Sequence, residues 1–164
     1  MFRTITFAAA ALMLAGCATA EPPMAAAPPP EAATYDAELA ARLGADDYGM
    51  RPYVLAILMT GPEDAAITDP ETRAGLFRGH FVNMQRLNDE GHLVLAGPLG
   101  GEDDSRGLFL FDTPDIDTAR AWAETDPAVE AGIFTLEFST YYGSAALLLV
   151  GDLHKTVQAK GIMD

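Results

Sequence analysis

Apolar residues recur along this chain in three rhythms, and each rhythm predicts a different element. An apolar run covers Ile5–Leu14, after a short start that carries Arg3. It has the length of a signal core and is too short to span a bilayer. Asp36–Ala45 reads as a short amphipathic helix, with Leu39 and Leu43 on one stripe and Gly44 as its stop. Tyr53–Met59 is continuously apolar, as suits a central strand buried on both faces, and Gly61-Pro62 breaks it. Helical spacing then takes over. Asp69 can cap, Pro70 suits the first turn, and Gly91 lies past the end. Between them Leu76, Phe77, His80, Met84 and Leu87 form one stripe, with Phe81 at its edge.

The second half repeats the alternation of strand and helix. His92–Ala96 and Gly107–Phe111 read as strands, separated by a glycine-rich turn and the acidic residues Glu102, Asp103 and Asp104. Thr113-Pro114 opens a helix to about Glu124, with Ile116, Ala119 and Ala123 inward. Asp126-Pro127 is expected to stop it, because a residue before proline avoids the helical region. Ile133–Ser139 alternates, with Phe134, Leu136 and Phe138 on one face. The order β-α-β-β-α-β predicts an α+β fold, the ferredoxin-like sandwich with two helices on one face of a four-stranded sheet. The opposite face is apolar enough to need cover, which predicts a homodimer. After Tyr141-Tyr142, residues 143–164 read as a short apolar helix followed by an amphipathic one.

Composition changes this picture at the N-terminus. Five of the eleven prolines fall in Glu21–Tyr35, a stretch too poor in core-forming residues to fold, which reads as a semi-stiff tether. The chain's one cysteine, Cys17, ends the sequence Leu14-Ala15-Gly16-Cys17. That pattern resembles the lipobox of bacterial lipoprotein signals, which implies cleavage before Cys17 and acylation of its thiol. Several acyl chains suffice for stable anchoring. Ala18 follows the cysteine where an aspartate would imply retention at the inner membrane, so the expected location is the outer membrane, facing the periplasm. The expected parts are a signal peptide at 1–16, the acylated cysteine and tether at 17–35, a helical lead-in at 36–51, a domain at 52–142 and a C-terminal extension at 143–164. Ten Lys and Arg against 24 Asp and Glu give a net charge of −14, which repels phosphate backbones and excludes nucleic acid as a partner. Membrane contact is expected through the lipid alone.

The segments YVLAIL (53–58), GHFVNMQRLNDEGHLVLAGPL (79–99) and DTARAWAETDPAVEAGIF (117–134), with the closing Tyr141-Tyr142, resemble the YCII-related family. The resemblance implies a ferredoxin-like fold that dimerises into an α/β barrel, and kinship with small-molecule enzymes such as muconolactone isomerases and a dehydrochlorinase. It also implies a site that pairs the helix histidine with an acidic residue after the Ala-Gly-Pro turn. His80 matches the first position. Asp103 is the match for the second, with Glu102 and Asp104 beside it.

The chemistry of these residues leaves two readings. An imidazole can act as general acid or base with a carboxylate orienting it, so His80 and Asp103 would serve an isomerase- or lyase-type enzyme acting on a small molecule. Alternatively, His80 is a core histidine and the domain is a non-catalytic module for a small ligand or a protein partner. Arg106, beside the acidic turn, would hold a substrate carboxylate or neutralise the acidic trio. His80, His92 and His154 lie on separate elements with no paired spacing, so neither a metal nor another cofactor is expected.

Overall fold

A computed structural model describes residues 34–100 and 104–162, and its elements all belong to a unit that begins at Tyr35. In chain order they are α1 (Ala37–Arg42), β1 (Met50–Thr60), α2 (Pro70–Asp89), β2 (Leu93–Pro98), β3 (Ser105–Phe111), α3 (Ile116–Ala123), α4 (Pro127–Glu130) and β4 (Phe134–Ser144). A 3-10 turn, Ala145–Leu149, and α5 (Val150–Val157) follow. The strands lie in the order β2-β3-β1-β4, and every pairing is antiparallel. That order with two crossover helices is the ferredoxin-like arrangement expected from the sequence.

The continuous apolar run became the central strand because both of its faces are covered. Val54, Ala56 and Leu58 join Phe109, Phe111 and Phe134 in one core. Leu87 of α2, Ala119 and Ala123 of α3 and Ala128 of α4 close that core from the helix side. Tyr53 points into a second, smaller cluster with Val94 and Leu110. Leu147 and Leu148 of the 3-10 turn pack against it. The C-terminal extension therefore covers part of the face that the sequence reading assigned to a second copy. Tyr141 and Tyr142 beside it remain 41% and 54% exposed.

Helix α2 begins and ends as its punctuation predicts. The Asp69 side chain accepts from the Thr72 N–H, Pro70 occupies the first turn, and Gly91 takes a positive φ of 77° just past the end. Several elements depart from expectation, β1 among them, which starts at Met50 rather than Tyr53. Strand β4 runs on to Ser144, because Met50–Tyr53 pair with Tyr141–Ser144 and the Tyr53 hydroxyl donates to the Ser144 carbonyl at 2.9 Å. Gly143 permits this: a Cβ there would lie 2.3 Å from the Tyr141 ring. Asp126-Pro127, expected only as a stop, also starts α4, with Asp126 as its N-cap and Pro127 in its first turn.

Candidate functional site

His80 sits midway along α2 on the stripe facing the sheet, and its side chain is 9% exposed. Phenylalanine rings enclose the imidazole. Phe109 stacks at 5.9 Å between centroids, Phe81 and Phe134 tilt toward it at 5.4 and 5.5 Å, and Phe77 meets it edge-on at 6.3 Å. In such surroundings an unpaired imidazole N–H would be costly. It is paired: Nδ1 lies 2.5 Å from Oδ2 of Asp126, whose side chain is fully buried.

Asp126 reaches that position through its place at the start of α4. Its Oδ1 accepts the Ala128 N–H at 2.9 Å, so each carboxylate oxygen has a donor and the buried charge is not orphaned. Glycine brings the two elements together. Gly79 precedes His80 and Pro127 follows Asp126, and a Cβ on Gly79 would stand 3.0 Å from Pro127 Cγ. Any larger residue there would crowd the Pro127 ring, next in sequence to Asp126. Arg86 steadies the same turn from the side. Its Nη2 donates to Asn83 Oδ1 at 2.8 Å and to Thr125 Oγ1 at 2.9 Å.

The carboxylate accepts and Nδ1 donates, so the neutral ring carries its proton on Nδ1 and presents a lone pair on Nε2. Among the described residues Nε2 has no hydrogen-bond partner. A histidine held in one tautomer by a buried carboxylate can take a proton at its other nitrogen from a substrate that reaches it, and return it.

Among the described residues the carboxylate against His80 is Asp126, which the sequence reading did not assign to the site. Asp103 and Glu102 lie outside the described residues. Asp104 is described, and its backbone carbonyl accepts from the Thr60 N–H. The residue that meets His80 is Asp126, 46 positions away in sequence. The sequence reading took it for a helix stop because Asp-Pro serves both ends of such a junction. The available signal was the dipeptide's second meaning, an N-cap with proline after it. Arg106 is also placed elsewhere: its Nη1 lies 3.4 Å from Thr60 Oγ1 and 3.7 Å from Asp64 Oδ2. Cys17 lies outside the described residues. His92 stacks flat on Trp122 at 4.0 Å, and among the described residues no three potential metal ligands gather.

Of the clefts formed by the described residues, two concern the site, and His80 lines neither. The larger, about 500 Å³, starts at Phe81 and runs between α2, β2 and the C-terminal segment. The smaller, about 190 Å³, lies on the other side of the sheet between Leu55, Leu95, Leu108, Leu110, Tyr141 and Leu147.

Comparison with known proteins bears on the same span. The family model described as the YCII-related domain matches residues 54–137, which include both His80 and Asp126. Protein YciI of Escherichia coli O6:H1 (strain CFT073) is 31% identical over 72 residues, covering 39% of this chain and 74% of that protein. Protein YciI of Shigella flexneri matches with the same figures. Among solved structures, 5-chloro-2-hydroxyhydroquinone dehydrochlorinase from Burkholderia phenoliruptrix AC1100, in complex with 2,5-dihydroxybenzoquinone, aligns with a TM-score of 0.38 and 16% identity. The alignment covers 52% of this chain and 90% of that one. The strand order, independently of that likeness, establishes the fold.

Proposed function

The chain belongs to the YCII-related family, and from that premise we propose that it is a small-molecule enzyme whose His80–Asp126 pair moves a proton in an isomerase- or lyase-type step. The observation that carries the proposal is the fully buried carboxylate on Nδ1, which leaves Nε2 as the basic end of the ring. A buried imidazole needs one partner for its N–H. It does not need an ionised one, and burying a carboxylate is costly, so the pairing favours a chemical role. Asp126 takes the orienting part that the sequence reading gave to Asp103.

A panel of unsaturated lactones and chlorinated hydroquinols, followed by ultraviolet absorbance, tests this. Turnover should fall at least about 100-fold in His80→Ala, with the circular dichroism spectrum retained. Equal turnover by the variant refutes the proposal. The second reading, a non-catalytic ligand-binding or protein-interaction module, draws on His80 lining neither cleft. It is favoured if the whole panel is inert and His80→Ala loses only stability.

The setting is part of the proposal. Leu14-Ala15-Gly16-Cys17 supports acylation at Cys17 and attachment to the outer membrane on its periplasmic side. Cys17→Ser should abolish incorporation of labelled palmitate and release the protein into the soluble fraction. A labelled, membrane-bound variant would refute the anchor. The shallow apolar cleft at Leu55, Leu108 and Tyr141 supports a homodimer through the sheet.

A further inference from the structure

The 500 Å³ cleft lies within the size range of small-ligand sites, and most of one wall is built by residues beyond the family match. That wall is α5 and the segment after it, up to Ile162, whereas the match ends at residue 137. The packing that forms the wall is close. A Cβ on Gly151 of α5 would lie 3.2 Å from the Asn88 side-chain nitrogen, and that amide is tied to the Leu93 carbonyl at 2.8 Å. Helix α2, strand β2 and helix α5 thus meet at one fixed point and leave the cleft beside it.

The charge of the cleft departs from that of the chain. Both lysines of the protein, Lys155 and Lys160, line it together with His154, and among the described residues no aspartate or glutamate does. This occurs in a protein with 24 acidic residues and a net charge of −14. Elsewhere Arg51, Arg73 and Arg86 are engaged by Asp112, Asp64 and Glu90 at 2.5–2.6 Å. Among the described residues Lys155 has only the exposed Asp152 at 3.8 Å, a pair too solvated to neutralise it. Lys160 has no ion-pair partner among the described residues. The rest of the lining includes the apolar Phe81, Met84 and Leu95 beside the polar Gln85, Asn88 and Gln158. Cations beside apolar side chains favour an amphipathic anion: the apolar side chains favour the desolvated body, and the lysines attract the charged end while other acidic surface repels it.

We propose that the cleft binds an organic carboxylate with an apolar body, the body against Phe81, Met84 and Leu95 and the carboxylate at Lys155 and Lys160. The site is separate from the His80–Asp126 pair, although the Phe81 ring lies 5.4 Å from the imidazole and stands between them.

Calorimetric titration of the full chain with octanoate, octylammonium and acetate tests the assignment. Octanoate should bind saturably at one site per chain, and the other two at least about tenfold more weakly. The doubly substituted Lys155→Gln, Lys160→Gln variant, altered only at exposed positions, should lose about tenfold in octanoate affinity. His80→Ala should leave that affinity unchanged, so failure of the proton-transfer reading and failure of this one are told apart. Octylammonium binding as tightly as octanoate, unaltered affinity in the lysine variant, or no saturable binding would each overturn the proposal. So would octanoate changing the molecular mass by light scattering, which would assign the cleft to a second copy of the chain.

Discussion

Asp126→Asn separates the two jobs that one buried carboxylate performs. Oδ1 accepts the Ala128 N–H at 2.9 Å and Oδ2 accepts the His80 Nδ1–H at 2.5 Å. An asparagine amide can keep the first bond with its oxygen, but it then presents its NH2 to Nδ1. Two donors cannot share that contact, so the imidazole proton must move to Nε2. A hydrogen bond to a charged group contributes about 1.5–3 kcal/mol and a neutral one about 0.5–1.5, so the exchange loses about 1–1.5 kcal/mol. The variant no longer buries a charge, which offsets part of that loss. The expected destabilisation is therefore under about 2 kcal/mol. Asp126→Ala keeps neither bond. It forfeits an N-cap, about 1 kcal/mol, and leaves Nδ1–H without a partner, about 1–3 kcal/mol. Its loss should come to about 2–4 kcal/mol. Urea unfolding measures both values, and nitrogen-15 spectra of labelled histidine distinguish the ring tautomers. The wild type should show the proton on Nδ1 and Asp126→Asn should show it on Nε2, with turnover falling accordingly. An unchanged tautomer in Asp126→Asn, or a loss of stability equal to that of Asp126→Ala, would refute the reasoning.

Gly79→Ala gains about 1 kcal/mol of helix propensity but places a methyl 3.0 Å from Pro127 Cγ, an overpacking that costs about 1–3 kcal/mol. The expected result is a net destabilisation of up to about 2 kcal/mol and an upfield move of the His80 Nδ1–H proton resonance as Asp126 retreats; a stabilised variant with an unmoved resonance would show that the contact has slack. Asp46 is held below the usual carboxylate range, chiefly by the Tyr142 hydroxyl and then by the Met50 N–H. A carboxylate depressed in this way adds stability that is complete above its unfolded value, about 4, and is lost as pH falls through the lower folded value. Tyr142→Phe should raise the Asp46 titration midpoint in a carbon-13 pH series and narrow that acid-sensitive window, and an unmoved midpoint would show that the hydroxyl is not the cause.

The legible parts of this protein were those in which a local signal and the final environment agree. Tyr53–Met59 is apolar at every position because the strand is covered on both sides. Asp69, Pro70 and Gly91 mark the ends of α2 by backbone rules that need no partner. His80 stood out because a titratable ring in an apolar stripe is anomalous wherever the chain goes. Its partner did not stand out. Asp126 is one carboxylate among many, and only the crossing of α2 with α4 at Gly79 and Pro127 selects it. Asp103 came from the family resemblance, and it lies outside the described residues. Strand β4 was read short for a related reason. Tyr-Tyr-Gly has the composition of a turn, and its strand character comes from the backbone of Met50–Tyr53 alongside it.

That last pairing also governs when the protein can fold. The Tyr53 hydroxyl and the Ser144 carbonyl are 91 positions apart, and β1 must be flanked by both β3 and β4 to lie at the centre of the sheet. Closing so long a loop costs entropy before any sheet contact repays it, and folds dominated by such distant contacts form slowly. In the growing chain β1 is made early, and one of its edges stays unpaired until the final strand has been made. Nearly the whole unit therefore has to leave the ribosome before its middle can exist. A chain cut short before Phe134 lacks the strand that covers one edge of β1, and would present that edge to any other unfolded chain nearby.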